Sequence, residues 1–308
     1  MSAPAPAMRA PALRTPDLPD VLTALSERPA DAPVLIAGPT GSGKSALALA
    51  LAEATEGVVV NADALQVYRE WRVLTARPSA EDEARAPHRL YGHIGRAAPY
   101  SAGHWLREVA PILSGPQRAI LVGGTGLYFR SLTEGLADIP DIPAEIRAEA
   151  SVLSPEQLRQ TLDAPTLARI DRANPARLRR AWEVLRATGH GLAHWQDATP
   201  PALLPEHRAL CLVIDAPKVR LTPRLEQRFD AMLAGGALEE VAANLDGFDP
   251  QRPGDRAIGA AELAGHLRGE TDLDTAREAA VIATRRYAKR QRTWFRARMA
   301  AWRRIAMS

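Results

Sequence analysis

Short apolar runs alternate with amphipathic stretches along most of this 308-residue chain. The runs at 34–37, 57–61, 119–123 and 210–215 each have the length and composition of one buried strand. Helix-forming residues separate these runs, most clearly over 44–55. Because the strands of a parallel sheet are buried on both faces and are joined by helices, the pattern predicts an α/β fold with a parallel sheet flanked by helices.

The alternation stops at residue 138. From 138 to 200 the pattern is helical throughout, which predicts a small all-helical insertion domain. Within it, Asn174 is a preferred N-cap residue, Pro175 suits the first helical position, and Gly189 lies where that helix should end. The α/β core then comprises residues 31–137 and 201–308.

The two ends of the chain differ from this core. Residues 1–30 are rich in Pro and Ala and lack a compact apolar stretch, so they predict a disordered leader and no signal peptide. Residues 276–304 predict one long helix with a basic face beside an apolar stripe. Three interpretations of that face stay open: a solvated surface, attachment to a membrane surface, and contact with the phosphates of a nucleic acid.

Composition narrows the class of protein. The hydrophobic fraction of 46% is ordinary for a globular chain, and no apolar run approaches the roughly 20 residues that span a bilayer. The single cysteine, Cys211, excludes an intramolecular disulfide, and we expect a cytoplasmic protein. The net charge is only +3, yet just three of the 39 basic residues are lysines, at positions 44, 218 and 289. A lysine is therefore informative where it occurs.

One of these lysines lies in a phosphate-binding motif. The pattern GxxxxGK[ST] is matched by Gly38, Pro39, Thr40, Gly41, Ser42, Gly43, Lys44 and Ser45, between a predicted strand and a predicted helix. The glycines let backbone N–H groups face anionic oxygens, and the helix N-terminus adds partial positive charge. Lys44 would neutralise the outer phosphate, and the Ser45 hydroxyl would supply part of a Mg²⁺ shell. The motif predicts a ligand with a di- or triphosphate; the alternative is a glycine-rich turn that matches by chance.

Two further candidates follow neighbouring predicted strands. Asp63 comes after the second strand and Thr125 after the third, and ligands bind where the carboxyl ends of parallel strands meet. We expect Asp63 to face the phosphate compound and to accept a proton. Gly123 and Gly124 would let the backbone approach the ligand closely. The plainer interpretation is that Asp63 and Thr125 only cap helices.

Taken together, these segments resemble the tRNA dimethylallyltransferases, also called tRNA isopentenyltransferases. The resemblance runs from about residue 32 to residue 302. It is carried by GPTGSGKS at 38–45, NADALQVY at 61–68, TARP at 75–78, PHRLYG at 87–92, LVGGTGLY at 121–128, NPARLRRAWEV at 174–184, RLEQRFDAML at 224–233 and AKRQRTWFR at 288–296. The first motif alone is weakly diagnostic, whereas the motifs in this order are highly specific.

The resemblance implies a prenyl transfer. The donor would be dimethylallyl diphosphate, held with Mg²⁺ by the P-loop in place of ATP. The acceptor would be the exocyclic N6 of the adenosine immediately 3′ of the anticodon, in tRNAs that read codons beginning with U. Asp63 matches the family's proposed general base, and Thr125 matches the residue that helps to position the amine. Arg224 and Arg228 match arginines near the diphosphate, and which of the two contacts it stays open.

The same resemblance implies a tRNA-binding surface on a monomer that binds no membrane. The implied contacts are Asp63, Ala64, Leu65, Gln66, Thr125, Arg147, Ala176, Arg177, Leu178, Arg179, Arg180, Arg256, Gly259, Arg285, Arg286, Lys289, Arg290, Gln291 and Arg292. The chain departs from the family in three places. Val73 and Leu74 replace the usual Ile-Gly before Thr75. Ala64 replaces a common serine and removes a small polar contact, and Ala260 replaces a common aromatic residue and removes a stacking contact.

Three rival classes fit part of the sequence. A small-molecule P-loop kinase would use the phosphate loop and Asp63 but has no use for the basic helix. An isopentenyltransferase acting on free adenine nucleotides would use the same loop and carboxylate, but not the arginines at 177–180 and 285–296. A non-catalytic RNA-binding protein would not need an intact Lys44, Asp63 and Thr125.

Overall fold

Six parallel strands form one sheet in the computed structural model, which describes residues 18–307. In chain order the strands are β1 (Val34–Ala37), β2 (Val58–Asn61), β3 (His88–Arg89), β4 (Ala119–Gly123), β5 (Leu210–Asp215) and β6 (Arg303–Ala306). Across the sheet their order is β3-β2-β4-β1-β5-β6, and each neighbouring pair is parallel. The predicted fold class, a parallel α/β sheet of the P-loop type flanked by helices, is confirmed.

Helices make up most of the remaining regular structure. They are α1 (Leu18–Ser26), α2 (Lys44–Thr55), α3 (Ala80–Arg85), α4 (Ala102–Leu113), α5 (Gly126–Glu134), α6 (Ala144–Val152), α7 (Pro155–Thr161), α8 (Ala164–Arg169), α9 (Pro175–Thr188), α10 (Leu192–Asp197), α11 (Lys218–Ala234), α12 (Ala237–Ala243), α13 (Ala260–Leu267) and α14 (Leu273–Arg298). The predicted strands at 34–37, 119–123 and 210–215 and the predicted helix at 44–55 are confirmed with their bounds.

The described chain separates into two units. The helical unit comprises Arg130–Leu203, and the α/β unit comprises the described residues up to Phe129 and from Leu204 onward. The limits expected from the sequence for the insertion, 138 and 200, lie a few residues inside these. Each unit has its own core.

The core of the α/β unit is built around β1. Val34 of this strand pairs with Ile120 of β4 on one side and with Leu210 of β5 on the other. All four residues of β1 are fully buried, and burying such a side chain contributes roughly 1.5–3 kcal/mol relative to leaving it exposed. Burial on both faces explains why β1 is a continuous apolar run. The phosphate-binding motif begins at Gly38, directly after the end of this strand.

The helical unit has a smaller core and strong local end signals. Leu158, Leu178 and Trp182 are buried together in it. The side chain of Asn174 accepts hydrogen bonds from the first backbone N–H groups of α9, and Gly189 ends that helix with a φ of 71°. The predicted N-cap, first position and end of α9 are therefore confirmed.

The predicted disordered leader at 1–30 is wrong over part of its length. Residues 1–17 lie outside the described part of the chain. Leu18–Ser26, however, forms α1, whose Val21, Ala24 and Leu25 are buried in the core of the α/β unit. These three apolar residues lie at helical spacing, and the surrounding Pro and Ala obscured that signal.

The C-terminal prediction needs a second correction. A helix was expected over 276–304, but α14 ends at Arg298 and the chain then pairs with β5 as the edge strand β6. Trp302 and Ile305 are buried on this segment. The residues Arg303–Ala306 are too few and too polar for sequence pattern to indicate a strand, because their strand geometry depends on pairing with β5.

Within residues 18–307, every helix falls short of the combination of length and apolar character that crossing a bilayer requires.

Candidate active site

The phosphate-binding motif forms a tight turn between β1 and α2. Gly41 and Gly43 adopt φ values of 77° and 89°, a region that favours glycine. A Cβ on Gly41 would also lie 2.8 Å from the Leu225 side chain of α11. The Ser42 hydroxyl is buried without a hydrogen-bond partner among the described residues, and Ser45 is exposed in the first turn of α2. The loop is therefore held by packing from behind, and it leads directly into a helix N-terminus.

Lys44 extends from this loop into a cavity that Asp63 and Arg228 also line. Its ammonium donates a hydrogen bond to the Pro39 carbonyl at 3.4 Å. Burial lowers the pKa of Lys44 to about 8, the Asp63 carboxylate acts in the opposite direction, and the nearby Arg228 lowers the pKa further. Two cations and one carboxylate thus face a single cavity.

Asp63 follows β2 and is held by its neighbours in the backbone. Its carboxylate accepts a hydrogen bond from the Leu65 N–H at 3.0 Å, and only 8% of the residue is exposed. The side chain of Asn61 accepts from the Asp63 N–H at 2.8 Å and donates to the Asp63 carbonyl at 3.0 Å. Residues 64–79 contain no helix. The interpretation of Asp63 as a helix cap is therefore wrong, and Asn61 is a positioning residue that sequence reasoning missed.

The two glycines after β4 permit the close approach expected of them. A Cβ on Gly123 would lie 2.0 Å from the Ala62 carbonyl oxygen, and a Cβ on Gly124 would lie 3.0 Å from the Asp63 carboxylate. The next residue, Thr125, accepts a hydrogen bond from the Ala64 N–H through its hydroxyl at 2.9 Å. The ends of β2 and β4 are thus joined directly, and they place Thr125 beside Asp63.

Gln291 lies inside the site. Its side-chain carbonyl accepts a hydrogen bond from the Thr40 N–H at 2.9 Å, and its amide donates to the Gly124 carbonyl at 3.0 Å. Only 6% of the residue is exposed. The Gln291 amide thus joins the phosphate loop to the end of β4. Its contact with tRNA stays a prediction.

Tyr287, one turn earlier on α14, is a second residue that sequence reasoning missed. It lines the cavity together with Asp63 and Arg228. The spacing of residues 287 and 291 places both on one helix face.

Of the two candidate arginines on α11, Arg228 lines the cavity. Burial lowers the pKa of Arg228, and the Asp63 carboxylate opposes that effect. Arg224 lies one turn earlier and outside the residues that line this cavity. The structure thus brings Arg228, and not Arg224, together with Lys44.

The loop at residues 72–76 borders the cavity and is held by side-chain carboxylate and amide groups. Glu240 of α12 accepts hydrogen bonds from three consecutive backbone N–H groups, those of Arg72, Val73 and Leu74, at 2.5, 2.7 and 2.9 Å. The Gln66 amide donates to two carbonyls of the same loop, at 2.9 and 3.0 Å. Gln66 was expected to contact tRNA, and the structure uses its amide to hold this loop.

The lining of the cavity is apolar away from the charged groups. The apolar side chains there are Leu65, Leu74, Leu225, Phe229, Met232 and Ile258. Gly259 lies behind them with a φ of 98°, and a Cβ on it would be 2.8 Å from the Phe229 ring. Gly259 is buried, so its predicted contact with tRNA is wrong.

Most of the predicted basic contacts on α14 lie on the surface. Arg285, Arg286, Lys289 and Arg290 are exposed, and Arg292 is half-buried. Arg285 forms an ion pair with Glu226 of α11, and Arg290 lies over the Tyr287 ring at 5.7 Å from its centre. Arg256 is exposed as well. The α14 residues form a basic face that is continuous along one helix.

In the helical unit, four of the predicted contacts are exposed: Arg147, Ala176, Arg177 and Arg180. Partial burial of the otherwise exposed Arg180 side chain lowers its pKa, while the Glu183 carboxylate 3.8 Å away opposes this effect. Arg179 is half-buried. Leu178 is fully buried in the core of the unit, so its predicted contact with tRNA is wrong. The helical period of α9 separates it from its exposed neighbours.

The described residues, 18–307, hold no group of three or more His, Cys, Asp or Glu side chains that would bind a metal ion. The Ser45 hydroxyl ends the phosphate-binding motif, and the Asp63 carboxylate lines the cavity. Hard oxygen donors of this kind suit Mg²⁺, which commonly keeps several waters and takes further ligands from a bound phosphate. Cys211 is half-buried, burial raises the pKa of its thiol to about 12, and it lies outside the residues that line this cavity.

Comparison with known proteins gives consistent results. The family model described as IPP transferase matches residues 66–298, and the model described as isopentenyl transferase matches 33–97. A tRNA dimethylallyltransferase of Dinoroseobacter shibae is 61% identical over 284 residues, covering 90% of this chain and 96% of that protein. One from Paracoccus denitrificans is 54% identical over 285 residues, covering 89% and 94%.

Solved structures show the same similarity. The crystal structure of a tRNA isopentenylpyrophosphate transferase from Bacillus halodurans superposes with a TM-score of 0.65 at 28% identity, covering 90% of each chain. A eukaryotic dimethylallyltransferase acting on tRNA superposes with a TM-score of 0.77 and covers 90% of this chain and 74% of its own. Its identity of 23% makes that second likeness evidence of the fold alone.

Proposed function

This chain belongs to the IPP transferase family, and from that premise we propose a complete reaction for it. It transfers a dimethylallyl group from dimethylallyl diphosphate to N6 of the adenosine immediately 3′ of the anticodon, in tRNAs that read codons beginning with U. The observation that carries this proposal is the single cavity at the carboxyl ends of the strands, where Asp63 faces Lys44 and Arg228.

The cationic side of the cavity suits the leaving group. As the allylic C–O bond of the donor breaks, the diphosphate leaves with the electron pair and gains negative charge. Lys44, Arg228 and the backbone N–H groups at the start of α2 are the groups that would stabilise this charge, because they are fixed in place before the reaction begins. The buried Ser42 hydroxyl would find in a diphosphate oxygen the acceptor that it lacks.

Asp63 suits the acceptor side. N6 of adenine is a poor nucleophile because its lone pair is shared with the ring, so its proton must leave as the new C–N bond forms. The Asp63 carboxylate would accept that proton, with Asn61 and Leu65 holding it in place. Thr125 lies beside it and would orient the amine. The base must leave the stacked loop to reach them.

The basic surfaces suit a substrate of tRNA size. The α14 face and the exposed arginines of α9 offer guanidinium groups to phosphates and unstacked bases. An enzyme that acts on free nucleotides would need neither of these basic surfaces. We infer that the chain acts as a monomer, since one chain supplies every group named here, and that it acts in the cytoplasm on tRNA.

We also propose Mg²⁺ as the cofactor. The Ser45 hydroxyl, exposed at the first turn of α2, would hold it together with oxygens of the diphosphate and water. When bound, the ion neutralises charge on the departing diphosphate. The loop motif is also typical of ATP sites, and we propose the diphosphate of the prenyl donor as its ligand in place of ATP.

The test is incubation of the purified chain with dimethylallyl diphosphate, Mg²⁺ and unmodified tRNA, followed by mass analysis of the nucleosides. We expect one added dimethylallyl unit on adenosine. A product formed on AMP and not on tRNA would indicate an enzyme of free nucleotides. Phosphate transfer from ATP to a small acceptor, without prenylation, would indicate a kinase.

A further inference from the structure

Leu74 and Thr75 line the cavity from a loop that contains no helix or strand. Leu74 is only 5% exposed and belongs to the same apolar core as Phe229. A loop has no ladder of backbone hydrogen bonds of its own, so its position depends on the groups that hold its backbone. Whatever holds residues 72–74 therefore decides where the Leu74 side chain lies.

A single carboxylate holds this loop. The two oxygens of Glu240 accept three consecutive backbone N–H groups, with Arg72 and Val73 on one oxygen and Leu74 on the other. The Glu240 side chain is half-buried and lies outside the residues that line the cavity. Hydrogen bonds to an ionised carboxylate are roughly twice as strong as those between neutral groups. Glu240 thus fixes the backbone of the loop from behind the site.

This backbone places the Leu74 side chain beside the Phe229 ring. Both side chains line the cavity, and both approach Gly259. A Cβ on Gly259 would lie 2.8 Å from the Phe229 ring and 3.3 Å from Cδ2 of Leu74. Two groups that approach one point this closely also lie close to each other. Leu74 and Phe229 therefore form one continuous apolar surface, which we call the end wall.

Helix α11 shows which part of the cavity the end wall closes. The cavity-lining residues of this helix share one face: Leu225, Arg228, Phe229 and Met232. Leu225 lies at the phosphate loop, since a Cβ on Gly41 would be 2.8 Å from its side chain. At about 1.5 Å of rise per residue, Phe229 lies about 6 Å further along the helix. A prenyl chain attached to a diphosphate at Arg228 would extend along this face toward the end wall.

We propose that Glu240 is a positioning residue that limits the length of the prenyl donor: by holding residues 72–74, it keeps the end wall closed behind a single five-carbon unit. This inference rests on the proposed prenyl transfer to tRNA. The bonds that form and break are unchanged, because the end wall selects only which allylic diphosphate fits. A dimethylallyl group ends at the end wall, whereas the second unit of geranyl diphosphate would have to displace Leu74.

The test compares dimethylallyl diphosphate with geranyl diphosphate as donors to unmodified tRNA, through kcat/KM for each. The wild-type chain should prefer the shorter donor by at least about 100-fold, since one methylene in an apolar pocket changes selectivity by roughly 10–200-fold. Leu74→Ala should reduce this preference at least about tenfold, because it shortens the end wall. Glu240→Ala should reduce it by a similar factor, because three N–H groups lose their acceptor and release the loop.

Further variants separate positioning from a general loss of stability. In the Leu74→Ala background, Glu240→Ala should change the donor preference by less than about twofold, since its effect passes through Leu74. Glu240→Gln keeps one of the two acceptor oxygens, so its preference should lie between those of wild type and Glu240→Ala. The matched control is Glu239→Ala, which removes the same charge from an exposed neighbour on α12. It should leave the preference unchanged.

Several outcomes would overturn the inference and leave the proposed function intact. Equal use of both donors by the wild-type chain is one, and a wild-type preference in Leu74→Ala is another. A higher KM for tRNA with no change in donor preference would place the end wall against the acceptor base. A lower thermal midpoint in both Glu240 variants, again with an unchanged preference, would leave Glu240 with a structural role alone. A wild-type chain that transfers no dimethylallyl group to tRNA would overturn the proposed function itself.

Discussion

In the α/β unit, the functional side chains are enclosed and are held by backbone groups that are distant in the chain. In the helical unit, the arginines of α9 lie exposed on a helix that its own neighbours stabilise. Gln291 illustrates the first arrangement, because its amide bonds to Thr40 and Gly124, 251 and 167 residues away. Asn174 illustrates the second, because its side chain accepts hydrogen bonds from the N–H groups of Ala176 and Arg177, two and three residues later.

The difference follows from the task of each surface. Proton abstraction and charge stabilisation need groups fixed to a fraction of an ångström in a site that excludes water. Contact with phosphates needs only positive charge in roughly the right place. Changes to the enclosed side chains of the α/β unit should therefore affect kcat or folding, and changes to the exposed basic residues of either unit should affect tRNA affinity.

The largest effect is expected from Asp63→Ala. Asp63 is the only carboxylate among the described residues that line the cavity. Without it the amine proton loses its general base, and kcat should fall by roughly 10²–10⁴. The affinity for tRNA, measured by filter binding, should stay nearly unchanged. Turnover within a few-fold of wild type would show that Asp63 is not the general base.

Gln291→Leu should lower stability rather than affinity. The change leaves the Thr40 N–H and the Gly124 carbonyl buried without partners, at about 1–3 kcal/mol each. Urea unfolding should show a midpoint shift of corresponding size. Gln160→Leu in the helical unit is the matched control, since Gln160 is exposed and bonds only to Glu156. Equal shifts in both variants would contradict the contrast drawn between the units.

Replacing Arg285, Lys289 and Arg292 together by Ala should weaken tRNA binding and reduce its salt dependence. Each lost phosphate contact lowers the slope of log K against log salt by about 0.7–0.9. Because Arg285 is engaged with Glu226, we expect a decrease nearer to two contacts than to three. A titration series in KCl gives the slope, and an unchanged slope would assign this face to solvation alone.

Arg177→Ala with Arg180→Ala tests the helical unit in the same way. The double variant should raise KM for tRNA and keep kcat at saturating tRNA, since neither side chain belongs to the cavity. Arg186→Ala on the same helix is the control, because Arg186 is exposed and lies 3.5 Å from Glu149. A fall in kcat at saturation would mean that α9 takes part in more than binding.

The smallest effect is a pH dependence of diphosphate binding. Burial lowers the pKa of Lys44 to about 8 in the free protein, so the ammonium loses its proton as pH rises through that value. A bound diphosphate favours the charged form, and binding should therefore take up a proton and weaken about fourfold between pH 7 and 8.5. Calorimetry in buffers of different ionisation enthalpy measures the uptake. Affinity that is constant over this range would contradict a lowered pKa.

The local parts of the molecule were predictable from sequence. The phosphate loop and the bounds of α9 depend on neighbours within a few residues, such as Gly43 before α2 or Asn174 before α9. Asp63 was also found, since it follows an apolar run at the edge where ligands bind. These features carry their own signals because the interactions that fix them are short in sequence.

The parts fixed by long-range contacts were not predictable. Strand β6 depends on pairing with β5, and the roles of Tyr287 and Gln291 depend on where α14 packs. On that helix, periodicity distinguishes buried from exposed faces, but it does not tell a packing residue from one that lines a reaction site. The family motif around Gln291 indicated importance but not its bonds to Thr40 and Gly124.

The bond between Gln291 and Thr40 has a consequence for how the molecule comes into being. During synthesis the phosphate loop is made early, and Gln291, whose side chain holds the loop, is made about 250 residues later. A polypeptide that ends before residue 287, because of a nonsense codon or a protease, would keep the loop, Asp63 and Thr125. It would lack the Gln291 amide that joins the loop to the end of β4. Such truncated chains would be inactive on transfer RNA.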